Sequence, residues 1–470
     1  MTRVHAFGDD ALGDLDAVGL VAAIQEGEVS IPEVVEAAIA RTEQLQPELN
    51  ALAHADYDRA RAVAQDPRGG FFAGVPTFLK DNVDVAGLPT QQGCDAFVAR
   101  PSGADGDFAR MYLATGLVPI GKTQLSEFGF SPAAEHPRLG PVRSPWSTAH
   151  IAGASSAGSA ALVAAGAVPL AHGNDGGGSI RIPASVNGLV GLKPTRDRLA
   201  QDQMTRQMPV RIVSDGVLTR SVRDTAAFLR EAEYVYRALK LPPIGDVTRP
   251  GRTRLRIAVH TGGIGRTASP EVVELTLRTA SLLEGLGHQV EQVEHPAPPQ
   301  LPDDFLLYWS MLAMMIVRTG RRQLSPAFDR TRLDNLTRGL DRHCRGRLHR
   351  LPGAIARLRR LPRVSAEFYR RYDVALTPTL ALTTPRVGHL DPTGDFESVI
   401  ERILEWVAFT PWQNATGDPA VSLPVATTAD GMPLGMMFAA GAGRESTLLE
   451  LAYELEEAAP WVRIETPVGG

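Results

Sequence analysis

Two serine-bearing turns lie within one short stretch of the chain: Gly153-Ala154-Ser155-Ser156-Ala157-Gly158-Ser159 and Gly173-Asn174-Asp175-Gly176-Gly177-Gly178-Ser179-Ile180-Arg181-Ile182-Pro183. Cleaving an amide requires a nucleophile, a base that takes its proton, and donors aimed at the oxyanion that develops. Gly176, Gly177 and Gly178 suit the last role. Without a Cβ they can adopt dihedrals that point successive N–H groups into one small cavity, and Ser179 follows with its own N–H and hydroxyl. Nucleophile and oxyanion hole would then form one unit. An isolated glycine run ending in serine is more often a plain turn with a helix cap. Its company argues otherwise here: a second Ser/Gly turn lies just upstream, and the apolar stretch Ala160 to Pro169 predicts a helix that folds one turn against the other.

A base is available at Lys80, inside the apolar run Gly74-Val75-Pro76-Thr77-Phe78-Leu79-Lys80-Asp81-Asn82. Lysine stands at only four positions, 80, 122, 193 and 240, so 44 of the 48 basic residues are arginine. Arginine keeps its proton in a protein, whereas a desolvated lysine can lose it, so a lysine buried on a strand is a candidate neutral amine. Alternation along a strand turns Asp81 away from Lys80, to be solvated or capped elsewhere.

The elements that must position these groups read as α/β. Ser30-Ile31-Pro32-Glu33 is a capping box opening a helix that Pro47 is expected to end. From Gly74 to Pro194 short apolar strands alternate with Gly-rich turns and Ala-rich helices. A strand is expected at Leu255 to His260, followed by a helix from Pro270 to Leu286 that stops at Gly287. Asp304 to Arg371 reads as an arginine-rich helical insertion, and the C-terminal part contains a strand at Val421 to Val425 and a helix at Glu445 to Glu457.

With Gly74-Val75-Pro76, Gly121-Lys122-Thr123, Asn414-Ala415-Thr416-Gly417-Asp418-Pro419-Ala420 and Asp430-Gly431-Met432-Pro433-Leu434-Gly435, the serine turns make a pattern that resembles the amidase-signature hydrolases over nearly the whole chain. The resemblance implies one domain over 1–470. N-terminal helices would span 1–65, a catalytic core 66–245, a substrate-side helical insertion 300–372, and a C-terminal part of the same large mixed sheet 373–470, with helices on both faces. It implies Ser179 as the acyl-forming nucleophile, Ser155 as a bridging serine after a cis peptide bond, and Lys80 as the base. Oxyanion donors would come from Gly176, Gly177 and Gly178. Ala154, Trp309 and Met311 are candidate substrate contacts. Ala154, Ala157 and Asn174 depart from the residues common at their positions, and none of these changes removes a catalytic side chain. His172 through Ser179 is similar to the branch that hydrolyses cyclic and linear oligoamides. The reaction implied is hydrolysis of a linear carboxylic amide to acid and amine, without metal or cofactor, on a substrate with an apolar acyl part.

Composition narrows the alternatives. A formal charge of −5, from 48 basic and 53 acidic residues, gives no global field toward nucleic acid. No apolar run reaches the roughly 18 residues of a spanning helix, and the N-terminus lacks a signal-peptide core, so a cytoplasmic location is expected and stable membrane insertion is not. Cys94 and Cys344 suggest neither a disulfide nor a zinc site, and no HExxH is present. A homodimer is compatible with the chain. Gly116-Leu117-Val118-Pro119-Ile120-Gly121-Lys122-Thr123 fits a phosphate-loop pattern, but its middle is an apolar strand with a proline and cannot wrap phosphate. A Ser-His-Asp hydrolase would need His136, His150 or His172 and lacks a GxSxG elbow. An esterase could use the same three residues. An aminoacyl-tRNA amidotransferase subunit typically has Gln where Ile182 stands and Tyr-Gly-Arg-Val-Ser where this chain has Arg196-Asp197-Arg198-Leu199. The run Phe305 to Val317 is core by default, or a pocket wall.

Overall fold

The computed structural model describes residues 3–466. The capping box forms as the sequence dictates. Ser30 Oγ accepts the Glu33 N–H, the Glu33 carboxylate accepts the Ser30 N–H, and the helix Ile31–Leu49 follows. It does not end at Pro47. In the last turn a proline removes a single donor, and the helix runs on to Asn50, a left-handed cap at φ 51° whose N–H donates to Gln46 O. The Gln46 side-chain oxygen then accepts the N–H groups of Ala51 and Leu52, so the chain leaves the helix with its donors satisfied.

The centre is an eight-stranded mixed sheet in the order Gln289–Gln292, Arg256–Val259, Val374–Pro378, Pro433–Ala440, Ala420–Thr427, Val190–Lys193, Ser214–Thr219, Leu170–Asp175. Arg256–Val259 runs parallel to both of its neighbours, and the remaining pairs are antiparallel. Every residue of Pro433–Ala440 is buried although successive side chains face opposite ways, so both faces of the sheet are covered. The covering layers are helices, among them Arg181–Asn187, Val222–Val235, Pro270–Gly285 and Glu445–Ala458.

A smaller sheet of Leu52–Ala55, Val118–Thr123 and Pro76–Lys80 meets the edge strand Leu170–Asp175. Among the contacts that join them, Thr77 Oγ1 donates to Leu170 O at 3.0 Å, and the Lys80 N–H donates to His172 Nδ1 at 3.2 Å. The strand that carries Lys80 is thus fixed beside the strand that leads into the Ser179 turn.

Residues 301–368 are helical: Leu301–Gln323, Asn335–Arg345, Leu351–Leu358 and Leu361–Phe368. The first of these packs against two clusters. Phe305, Tyr308 and Met311 join Cys344, Leu358 and Trp412, while Leu306 and Ala313 join Leu340, Phe396 and Trp406. Among the described residues no helix is long and apolar enough to cross a membrane.

The C-terminal helix is tied back to the core by a buried ion pair. Arg198 Nε and Nη2 donate to the two oxygens of Glu445, at 3.1 and 2.8 Å, and the Thr195 N–H joins them at 2.9 Å. Burial alone would raise the Glu445 pKa; Arg198 and Thr195 outweigh it and hold the carboxyl below its ordinary value. The pair's contribution is therefore complete above the ordinary glutamate range and is lost as pH falls through the depressed folded value. Glu445→Ala is expected to lower the unfolding free energy by about 1–3 kcal/mol near neutral pH, because it takes away the acceptors of Arg198 Nε and Nη2 and leaves only Glu233 and Pro242 O, both on Nη1. Urea melts of both proteins should show that gap narrowing in acid, where the wild type loses the same interaction. A variant as stable as wild type at neutral pH would show that the pair ties down nothing.

Candidate active site

The first serine turn is a strand-to-helix junction. The Ala154–Ser155 peptide bond is cis, and Ser156 precedes the helix Ala157–Ala164. The two serine turns are laced together at the start of this helix: Ser159 Oγ donates to His172 O at 2.7 Å, and Ser156 Oγ donates to Asn174 O at 3.3 Å. Ser159 also meets Thr123 Oγ1 at 2.7 Å, so the smaller sheet holds the same junction from the other side.

Lys80 closes the strand Pro76–Lys80 and is fully buried. Its Nζ lies 2.7 Å from Ser155 Oγ and 2.6 Å from Asn174 Oδ1. Burial lowers its pKa to about 7, against the opposing pull of the Asp215 and Asp175 carboxylates. His172 supports the strand beneath it. Because its Nδ1 accepts the Lys80 N–H, the ring proton sits on Nε2, which donates to Asp215 Oδ1 at 3.1 Å. Burial holds this imidazole below its usual range despite the aspartate, so it stays neutral.

Asp81 does turn away from Lys80, but it is not solvated. It is 1% exposed and paired with Lys122 Nζ at 2.7 Å, a contact between adjoining strands. The same Nζ donates to Pro89 O and Thr90 Oγ1. Lys122, the lysine of the phosphate-loop pattern, therefore ends a strand in a buried ion pair.

The second turn is organised around Asp175. Its carboxylate accepts the Gly178 N–H at 2.8 Å, the Ile180 N–H at 3.2 Å, and both Nε and Nη2 of Arg181 at 2.8 Å. Asn414 Nδ2 adds a donor at 2.8 Å, and Arg181 reaches on to Asn414 Oδ1 and Gln413 Oε1. Burial would raise the Asp175 pKa; Arg181 overcomes this and holds it at about 2. Within the turn the Gly178 N–H is thus already committed to Asp175. No acceptor among the described residues takes the N–H of Gly176, Gly177 or Ser179.

Ser179 is half-buried and lines a cavity of about 330 Å³. Ala154 and Gly177 share its floor, and Phe305, Leu306 and Trp309 form a wall from the long helix. Phe130, Ile182, Ile403, Leu404 and Val407 make the interior apolar, while Asp303, Arg266 and Glu401 supply charge. Of the candidate substrate contacts, Ala154 and Trp309 are there and Met311 is not. Two residues on from Trp309 is about 200° around a helix, and Met311 packs instead beside Cys344 and Leu358 in the core.

The three histidines near the serine turns in sequence hold other contacts. His136 Nδ1 accepts the N–H groups of Arg138 and Leu139, His150 Nδ1 meets Ser147 Oγ at 3.0 Å, and His172 is occupied by Lys80 and Asp215. Asp215 and Thr410 come from segments without a recognisable pattern, and nothing local in the sequence marks either one. Asp175 and Arg181 lie beside Ser179 and Asn414 opens a distant motif, but their pairing depends on tertiary contact that no spacing in the sequence reveals.

Comparison with known proteins identifies the family. The amidase family model matches residues 33–449. AmiC of Mycobacterium leprae, whose name assigns it to the amidases, is 64% identical over 466 residues, with 99% of each chain covered. The 6-aminohexanoate-cyclic-dimer hydrolase of Paenarthrobacter ureafaciens is 33% identical, with 95% of each chain covered. The solved structure of a 6-aminohexanoate cyclic dimer hydrolase with its substrate superimposes with a TM-score of 0.87 at 29% identity, covering 97% of this chain and 99% of that one. A family match across most of the sequence and near-complete alignment to such relatives place the chain in the amidase-signature family, and it is an amidase.

Proposed function

We propose that the chain hydrolyses a carboxylic amide through an acyl-enzyme on Ser179, with Ser155 relaying the proton to Lys80. The observation that carries this reading is the fully buried Lys80 amine, 2.7 Å from Ser155 Oγ, with Ala154, the residue before Ser155, and Ser179 lining one cavity. Asn174 Oδ1 can only accept, so it takes one N–H of a neutral Lys80 and leaves the nitrogen lone pair for the Ser155 proton. As Ser179 Oγ bonds to the substrate carbonyl carbon, its proton passes to Ser155 while the Ser155 proton passes to Lys80. The same route returns a proton to the leaving nitrogen as the C–N bond breaks. Water then attacks the ester carbonyl with Lys80 again as base, releasing the acid and restoring Ser179. Free N–H groups of Gly176, Gly177 and Ser179 are the donors available to the oxyanion; Gly178 serves the turn through Asp175.

The apolar interior of the cavity favours an acyl group of that character, and a linear amide is the substrate class we assign. A relative 33% identical is named for hydrolysis of a cyclic dimer of 6-aminohexanoate, so cyclic amides belong in any test. Purified protein should turn over linear amides with apolar acyl groups when offered primary amides, anilides, esters, and linear and cyclic oligoamides, with neither tRNA nor ATP present. Strict dependence on tRNA would favour the amidotransferase role, and turnover of esters alone an esterase.

Ser179→Ala should cut kcat by about a millionfold and abolish labelling by a fluorophosphonate, with the fold intact by circular dichroism. A fluorophosphonate adduct mapped to another serine in an active Ser179→Ala variant would sink the assignment.

Because Lys80 must be neutral to accept a proton, kcat/KM should fall about tenfold per pH unit below pH about 7, the value burial gives this amine. Lys80→Arg keeps the charge and cannot accept a proton, so it should cost on the order of 10²–10⁴-fold, much as Lys80→Ala does. A near-wild-type rate for Lys80→Arg, or a profile flat to pH 5, would mean that another group activates Ser179.

A further inference from the structure

A peptide bond with glycine on both sides rotates at little steric cost, yet the Gly177–Gly178 peptide in the nucleophile turn is held at both ends. Its N–H donates to Asp175 Oδ1 at 2.8 Å, and its carbonyl accepts the Thr410 hydroxyl at 2.6 Å. Thr410 comes from more than two hundred residues further along the chain, immediately before the short helix Pro411–Thr416, and is fully buried. The approach is close. Gly178 has φ 131°, and a Cβ there would lie 2.4 Å from Thr410 Oγ1 and 2.8 Å from Thr410 Cβ. Pro411 lines the cavity beside Ser179, whereas Thr410 stands behind the turn. On either side of the pinned peptide are the N–H groups of Gly177 and Ser179, for which no described residue provides an acceptor.

We propose that Thr410 is a positioning residue for the oxyanion hole, its hydroxyl holding the Gly177 carbonyl so that the N–H groups of Gly177 and Ser179 face the reacting carbonyl. The inference rests on Ser179 being the nucleophile. Released from Thr410, the Gly177–Gly178 peptide is held by Asp175 alone, and any turn of its plane that brings the Gly177 carbonyl toward the cavity sets a partial negative charge against the charge developing on the substrate oxygen. The cost falls on the transition state more than on substrate binding, since the apolar walls that grip the acyl group are untouched. Asp175 holds the other end of the peptide, but it is also the buried partner of Arg181. Thr410 is the half that can be altered separately.

Thr410→Val preserves the side-chain volume and removes the donor. It should lower kcat on the order of 10–100-fold, a part of what outright loss of an oxyanion donor costs, with KM within about twofold of wild type by the same argument. Thr410→Ser should restore most of the rate. Affinity for a trifluoromethyl ketone carrying the same acyl group, which adds to Ser179 as a hemiketal oxyanion, should fall by the same factor as kcat/KM. If Thr410→Val does not fold, Thr410→Ala removes the donor at the cost of a small void and is read in the same way. A donor-less variant with wild-type kcat overturns the proposal, as does a loss that Thr410→Ser fails to restore or one that leaves ketone affinity intact. The nucleophile reading is checked separately: a wild-type protein that forms no ketone adduct on Ser179 would fail that reading, whatever Thr410 does.

Discussion

A carboxylate removed from water must find its hydrogen bonds in the protein or give up its charge, and Asp175 keeps its charge. It receives two donors from one guanidinium, backbone N–H groups from the turn that follows it, and an amide from Asn414. The two-pronged contact with Arg181 is directional as well as strong, so it sets the course of the chain from the end of the edge strand into the helix Arg181–Asn187. Ser179 lies between these two fixed points. Through Asn414 and Gln413 the same guanidinium also binds the segment that bears Thr410, which is how residues from distant parts of the sequence meet around three glycines. Removing either partner would leave a buried charge without its counter-charge.

Around Lys80 the opposite condition holds: an ionisable group is kept where ionisation is costly. Asp175 and Asp215 are near enough to favour the ammonium but not to hydrogen-bond it, and burial outweighs both. The groups that do touch Nζ, Ser155 Oγ and Asn174 Oδ1, are neutral. Lys122, on the adjoining strand, meets a carboxylate directly and has a structural part instead. Two lysines in one small sheet thus differ in role because one faces a hydroxyl and the other a carboxylate.

Much of this arrangement could be read from the sequence because it is local. The Ser30–Glu33 box, the strand ending at Thr123, and the nearness of the two serine turns follow from patterns of a few residues. What escaped reading depends on tertiary context. Pro47 looked like a terminator, but the Gln46 side chain and Asn50 carry the helix end past it. Phe305 to Val317 carries no charge and is apolar but for Ser310, so composition could not say which residues face the cavity; helical phase sends Trp309 there and Met311 into the core. For Asp81 solvation and capping elsewhere both stood open, and capping is what occurs, by a lysine on another strand that no local pattern identifies. Thr410 had no local mark at all, since its one informative contact is with a backbone carbonyl far away in the chain.

The scarcity of lysine has a thermodynamic side. Lys80 and Lys193 are both fully buried, and burial brings each pKa to about 7 in the folded protein, against about 10.4 for a lysine in an unfolded chain. Between those values the unfolded chain holds protons that the native state has shed, so folding releases them to solvent and native stability rises with pH across that interval. Below neutrality the advantage is gone, because a compact interior must then admit cations it has few groups to solvate. The enthalpy of unfolding in mildly alkaline solution should accordingly carry a contribution from the buffer's own heat of ionisation. Amines held neutral by burial thereby make the whole fold a participant in proton exchange with its surroundings.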